Sequence, residues 1–316
     1  MNCILAICLS ANAVFGAALP AFPDEIGFLN QVPAEDESKV VDAVRQYVLL
    51  QFALVQWDQD IAQELLAVGN TDESKSRGDS MKTRLQSAEN AYKVLLERYP
   101  KNARALNYYG EFLYDFRDDE NGAIRYWRES IANDPKLPLP YNNLGIHYSH
   151  NGQLAFGLEN YRKALELDPK NPDFKFNLAQ TYLINSREVA QEMKCEEAKV
   201  YKEAMKMSKE AAEIKPSDYK LQEDYATNFY AAERFNIKAD WADAAAAWKR
   251  ARGAAKTNEQ VFFTWLNEGR AWIRKPDKAK AEAALTEALK VLPDNAIAKQ
   301  LLEKVRSGDL GTAKAN

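Results

Sequence analysis

The chain holds two histidines, His147 and His150, and they fall three apart in "NNLGIHYSHNG". On a helix that spacing turns both onto one face, the first condition for a metal pair. No cysteine or carboxylate accompanies them at ligand spacing, so the set is poor for a metal. Asp118–Asn121 ("DDEN") offers paired carboxylates, but the stretch reads as a turn in which such residues cap the next helix and face water. Cys195 is the last of three cysteines and the only one outside the first eight residues. Once those residues are removed, no intramolecular disulfide can form, and the thiol reads as a half-buried helix residue. No Gly-rich phosphate loop occurs, nor a Ser or Cys with a plausible histidine partner. The expectation is therefore no catalytic residue, no metal and no cofactor.

The remaining side chains with chemistry are amides. Asn107, Asn142, Asn143, Asn177 and Asn267 stand inside helical sequence, where each is less favourable than alanine by about 0.5–0.7 kcal/mol. An asparagine amide both donates and accepts, which suits the backbone of a bound peptide. Their placement follows from a repeat. Pro100, Pro135 and Pro169 lie 35 and 34 apart; Pro216 and Pro293 follow after 47 and 77, and the last interval splits into 40 and 37 at Lys256. Twelve residues before these ends stand Ala88, Ala123, Gly157, Ala204, Ala244 and Ala281. A column of small residues is what two closely crossing helices need. A preceding helix in each unit carries Gly110, Gly145, Ala179, Ala226 or Gly269.

The unit at 138–171, with Tyr141, Leu144, Gly145, Tyr148, Gly157, Tyr161, Ala164 and Pro169, resembles the tetratricopeptide repeat family at nearly every motif position. The resemblance covers roughly residues 80–306. It implies an all-α, right-handed superhelical solenoid of antiparallel helix pairs. It also implies a concave face, lined by the first helix of each pair, that binds extended peptides. The residues so placed are Asn107, Tyr108, Asn142, Asn143, Asn177, Gln180, Asp224, Tyr230 and Asn267. The peptide clamp known in part of the family holds a terminal carboxylate with Lys, Asn and Arg. Asn107, Glu111, Leu139 and Asn143 carry too little positive charge for it, so a neutral or polar segment is expected.

The domain reading is a signal peptide or anchor at 1–18, a linker at 19–35, an N-terminal helical segment with an irregular first repeat at 36–101, the array at 102–306 and a flexible tail at 307–316. In "MNCILAICLSANAVFGAALPAF" small residues follow an apolar run, which fits cleavage after Ala18 or Ala13. No basic residue precedes the run, so the signal is weak or the true start lies upstream. Export to a periplasmic or extracellular space is expected, with a membrane anchor over residues 2–22 as the alternative. A helix beginning within "AEDESKVVDAV", with Asp36 or Ser38 as cap, and running to Gly69 should serve as N-terminal cap for the array, or else as a dimer or membrane-complex contact through Val48–Val55. "GNTDESKSRGDS" reads as a long polar loop. The insertion "SREVAQEMKCEEAKVYKEAM" reads as one helix from Val189 to Ile214, about 39 Å long, projecting as a spur or a partner contact. Gly308 should stop the last helix.

Apolar residues make up 46%, charged residues 28%, and the formal net charge is −4 with no basic block. This is a globular composition with no electrostatic support for nucleic acid. The functional expectation is a non-catalytic exported scaffold for a protein partner. An enzyme or processing factor with a repeat arm, or a homo-oligomeric structural protein, is the alternative.

Overall fold

The computed structural model describes residues 36–308, and the expected signal or anchor, the linker and the tail beyond Gly308 lie outside the described residues. Fourteen α-helices occur among the described residues, and no strand does. They are α1 (Glu37–Ala67), α2 (Thr71–Arg98), α3 (Ala103–Phe116), α4 (Glu120–Asn133), α5 (Leu139–His150), α6 (Leu154–Leu167), α7 (Pro172–Ile184), α8 (Ser186–Glu192), α9 (Glu197–Ile214), α10 (Tyr219–Asn228), α11 (Trp241–Ala254), α12 (Asn258–Arg274), α13 (Lys278–Val291) and α14 (Ala296–Ser307). A 3-10 segment, Phe229–Phe235, follows α10. The chain divides into two units at His147/Tyr148.

In the first unit α1 packs on α2 and α3 on α4. The helix starts are set by side-chain caps. Asp36 accepts from the Lys39 amide, Asn102 from Ala105 and Asp119 from Gly122. Each satisfies a first-turn N–H that has no partner within the helix. Asp119 thus performs the capping role expected for the "DDEN" turn. Val40, Val41, Val44 and Val48 of α1 are buried, as are Ala88, Tyr92 and Leu95 of α2. Phe52, Phe112 and Phe116 stack face to face, the closest pair with centroids 4.3 Å apart.

The polar stretch after Gly69 is not the expected loop. The connection is three residues, and α2 begins at Thr71 with Asn70 as its cap. What holds this polar half-helix down is Asp58, whose side chain is fully buried on α1. Its carboxylate accepts from Arg77 Nη1 (2.9 Å), Ser80 Oγ (3.0 Å) and Arg84 Nε (2.8 Å). Burial alone would raise its pKa; the three donors outweigh burial and lower it.

In the second unit α7 pairs with α9, α10 with α11 and α12 with α13, and α14 packs against α13. The insertion does not form one projecting helix. α8 ends in a turn at Met193–Glu196, with Lys194 in the left-handed region (φ 51) and Cys195 N–H donating to the Ala190 carbonyl at 2.9 Å. Such a 6→1 bond is a strong helix stop. Val189 and Ala190 are buried, so the extra helix lies down on the repeat instead of standing off it. α9 then starts afresh and runs 18 residues, about 27 Å.

All six residues of the small column are buried. The first-helix glycines show why bulk is excluded. A Cβ on Gly110 would stand 2.7 Å from Trp127 Nε1 and 3.2 Å from the Ala123 carbonyl oxygen. One on Gly269 would stand 2.8 Å from Leu285 Cγ. Gly308 ends α14 at φ 81, as expected. No described helix is long and apolar enough to cross a membrane.

Candidate functional site

In the first unit, consecutive first helices carry their amides to a common polar cluster. Asn107 on α3 is fully buried and donates to Glu111 Oε1 at 2.8 Å. Asn143 on α5 donates through Nδ2 to Asn107 Oδ1 at 3.0 Å and to Glu111 Oε1 at 3.1 Å. Glu111 Oε2 in turn accepts from Arg45 Nη2 of α1 at 2.8 Å. Arg45 also donates to the Tyr92 hydroxyl at 2.9 Å, and its guanidinium lies 4.3 Å from the centre of the Tyr108 ring. Burial opposes the charge on Arg45; Glu111 and Tyr92 outweigh it, and its pKa stands above the ordinary value. Burial pushes the Tyr92 hydroxyl up to about 12. Every charge in this cluster has a counter-charge or a hydrogen bond, the condition for tolerating polar groups at low dielectric.

Tyr108 remains half-exposed beside Arg104, which donates to its hydroxyl at 3.5 Å and pairs with Asp42. The Oδ1 of Asn143 accepts from no described residue. Asn142 is buried on the same helix at 6% exposure.

The second unit repeats the device with different residues. Gln180 on α7 donates to Asp224 Oδ1 on α10 at 2.5 Å, and Ser208 and Asn228 reach Asp224 Oδ2 at 2.5 and 3.1 Å. Burial pushes the Asp224 carboxyl up to about 6 against the pull of Ser208, Asn228 and Lys220. Asn177 is half-buried on α7, where its backbone oxygen accepts from Thr181 Oγ1 at 2.9 Å.

Further along, Tyr230 donates to the Asn267 backbone oxygen at 3.1 Å. The Asn267 side chain is buried; it donates to the Phe263 carbonyl and accepts from Arg270 Nη1 at 3.0 Å. One turn on, Arg274 lies over two rings, 5.1 Å from the centre of Tyr230 and 4.8 Å from that of Trp241. Burial drives the Tyr230 pKa up to about 12, with Trp248, Arg274 and Arg270 opposing.

Of the nine groove residues expected from sequence, the structure joins Asn107 with Asn143 and sets Tyr108 beside them. It joins Gln180 with Asp224 and Tyr230 with Asn267. Residues the motif reading passed over are Arg45, Arg270, Arg274 and Trp241. The signal for the arginine pair was present in "NEGRAWIRK", where two basic residues four apart share a helix face. Arg45 had no such signal, because its partner Glu111 is 66 residues away.

His147 sits at 5% exposure with its ring edge-on to Tyr114, and His150 is exposed. Among the described residues no group of three or more His, Cys, Asp or Glu side chains gathers in a way that could hold a metal ion.

Residues 72–135 match a family model described as TmcB, TPR repeats, and residues 148–185 match one described as TPR repeat. Both segments are tetratricopeptide repeats. Members of this family are, as a class, scaffolds for protein–protein interaction. No curated protein matches the sequence significantly.

Among solved structures, the C-terminal part of a TPR repeat-containing protein from Cytophaga hutchinsonii superposes with a TM-score of 0.52 at 16% identity, covering 85% of this chain and 99% of that one. YrrB, a TPR protein with an unusual peptide-binding site, gives 0.49 at 16% identity over 68% of this chain and 100% of that one. PilW, a type IV pilus biogenesis factor, gives 0.48 at 14% identity over 78% and 98%. The first of these supports the tetratricopeptide fold and nothing finer.

Proposed function

We propose that this tetratricopeptide repeat protein is a non-catalytic, exported scaffold that holds an extended segment of a partner protein along the first helices of its repeats. The observation that carries the reading is the hydrogen bonding between successive first helices: Asn143 to Asn107 in one unit and Gln180 to Asp224 in the other. These bonds fix polar side chains of neighbouring repeats on one strip within each unit. Such a pre-ordered strip loses little entropy when a partner docks. The half-exposed Tyr108 ring and the Oδ1 of Asn143, which accepts from no described residue, supply an apolar anchor and an acceptor on that strip.

The test has two parts. A partner captured by cross-linking to the full chain is purified and titrated by calorimetry against wild type and Tyr108→Ala. Stoichiometric binding that weakens at least tenfold in the variant is expected; affinity unchanged by the variant refutes the groove. Export rests on the N-terminal sequence, and mass spectrometry of the native N-terminus decides it. A start at Leu19 or Val14 supports export with cleavage, and an intact Met1 refutes it.

A further inference from the structure

The second unit holds two arginines whose charge no described carboxylate neutralises. Arg270 and Arg274 stand four apart on α12, both half-buried. Among the described residues no carboxylate lies within ion-pair distance of either; the neighbouring acids are already taken, Glu268 by Arg252 (2.6 Å) and Asp240 by the cap of α11 and by Lys275 (3.9 Å). Arg270 has one hydrogen bond, to Asn267. Arg274 has its guanidinium carbon over the rings of Tyr230 and Trp241, and its N–H groups meet no described acceptor. Cation–π contact with two rings restrains the guanidinium while leaving N–H groups for the fork that matches a carboxylate bidentately.

The spacing is informative. Residues four apart on a helix are separated by about 6 Å along its axis. Alternate side chains of an extended chain are separated by about 6.6 Å and point the same way.

We propose that Arg270 and Arg274 bind an extended acidic peptide segment lying along α12, taking the carboxylates of two residues spaced i, i+2, with Tyr230 and Trp241 as the platform that orients Arg274. This rests on the scaffold reading and names the chemistry of the partner segment. It departs from the neutral or polar ligand expected from sequence, because that expectation weighed Asn107, Glu111, Leu139 and Asn143 and not α12.

The experiment uses the full chain and three fluorescein-labelled nine-residue peptides in a Gly/Ser background: one with two glutamates at alternate positions, one with two adjacent glutamates, and one with glutamines at the alternate positions. Fluorescence anisotropy at low and moderate salt is the readout. The alternate-glutamate peptide should bind at least tenfold more tightly than the other two, and the advantage should shrink as salt rises. Arg274→Gln and Arg270→Gln should each remove most of that advantage with an unchanged circular dichroism spectrum. Arg274→Lys, which keeps the charge and loses the fork, should also weaken binding. Equal binding of all three peptides, or binding indifferent to the arginine variants, overturns the proposal. So does a single-stranded oligonucleotide that binds the same arginines as tightly. If these peptides fail while the captured partner still binds wild type and is weakened by Tyr108→Ala, the charge recognition is wrong and the scaffold stands. If the partner titration fails as well, both readings fall.

Discussion

Gly110 and Gly78 are both helical glycines, yet alanine should act on them in opposite directions. Exchanging glycine for alanine within a helix favours folding by about 1 kcal/mol, through lost backbone freedom in the unfolded chain. At Gly78, in α2, an added Cβ meets nothing within 4 Å, so that gain stands unopposed. At Gly110 the same Cβ would stand 2.7 Å from Trp127 Nε1, 2.8 Å from its Cδ1 and 3.2 Å from the Ala123 carbonyl oxygen. Trp127 is 2% exposed and cannot swing away, and the carbonyl belongs to the backbone of α4. α3 and α4 must move apart, an overpacking cost of about 1–3 kcal/mol. The net for Gly110→Ala is a loss of up to about 2 kcal/mol, leaving it roughly 1–3 kcal/mol below Gly78→Ala. Urea denaturation followed by circular dichroism measures both. Hydrogen exchange should place the Gly110→Ala loss in α3 and α4. Equal stabilisation by the two variants would refute the close-crossing account of the helix pair.

Asp58→Ala should cost about 2–4 kcal/mol, since it leaves Arg77, Ser80 and Arg84 without their acceptor; proteolysis should then begin in the first half of α2, and an unchanged cleavage pattern counts against the staple. Because the pKa of Asp58 is lowered, its contribution is complete above the ordinary carboxylate value of 3.8 and is lost as pH falls through the folded-state value. Asp224 has the opposite sign: its folded pKa of about 6 exceeds 3.8, so the folded state holds the proton longer and stability falls as pH rises across that window. The burden is up to about 3 kcal/mol, and Asp224→Asn should flatten this part of a denaturation-versus-pH curve; parallel wild-type and variant curves would contradict it. The double variant His147→Ala, His150→Ala should leave metal content unchanged by elemental analysis of purified protein.

What the sequence made readable was local or periodic. Each column residue recurs at a fixed distance from a repeat end, proline-marked in all but the one at Lys256, and its burial follows from helical phase. Gly308 and the Asp and Asn caps act within three or four residues of their own position. What it hid was long-range or compensatory. "GNTDESKSRGDS" is polar enough to read as a loop, and the buried Asp58, 19 to 26 residues before the side chains it holds, explains why it is helical. The break at Lys194 has neither glycine nor proline to announce it; a lysine adopts the left-handed conformation because burying Val189 and Ala190 brings α8 back onto the repeat. The polar strip was half readable. Helical register located Asn107 and Asn143, but that they donate to one carboxylate held by Arg45 depends on a helix outside the recognised motif.

The Arg45–Glu111 pair also separates two kinds of boundary. Homology begins at residue 72, after α1 has ended, so a fragment trimmed to the recognisable repeats would start where the match starts. That fragment would keep Glu111 and both asparagines while discarding Arg45, the cation paired with Glu111, and would strip α2 of its valine-lined cover. A piece able to stand alone therefore reaches back at least as far as Asp36, so inheritance and autonomy part company ahead of the recognised repeats.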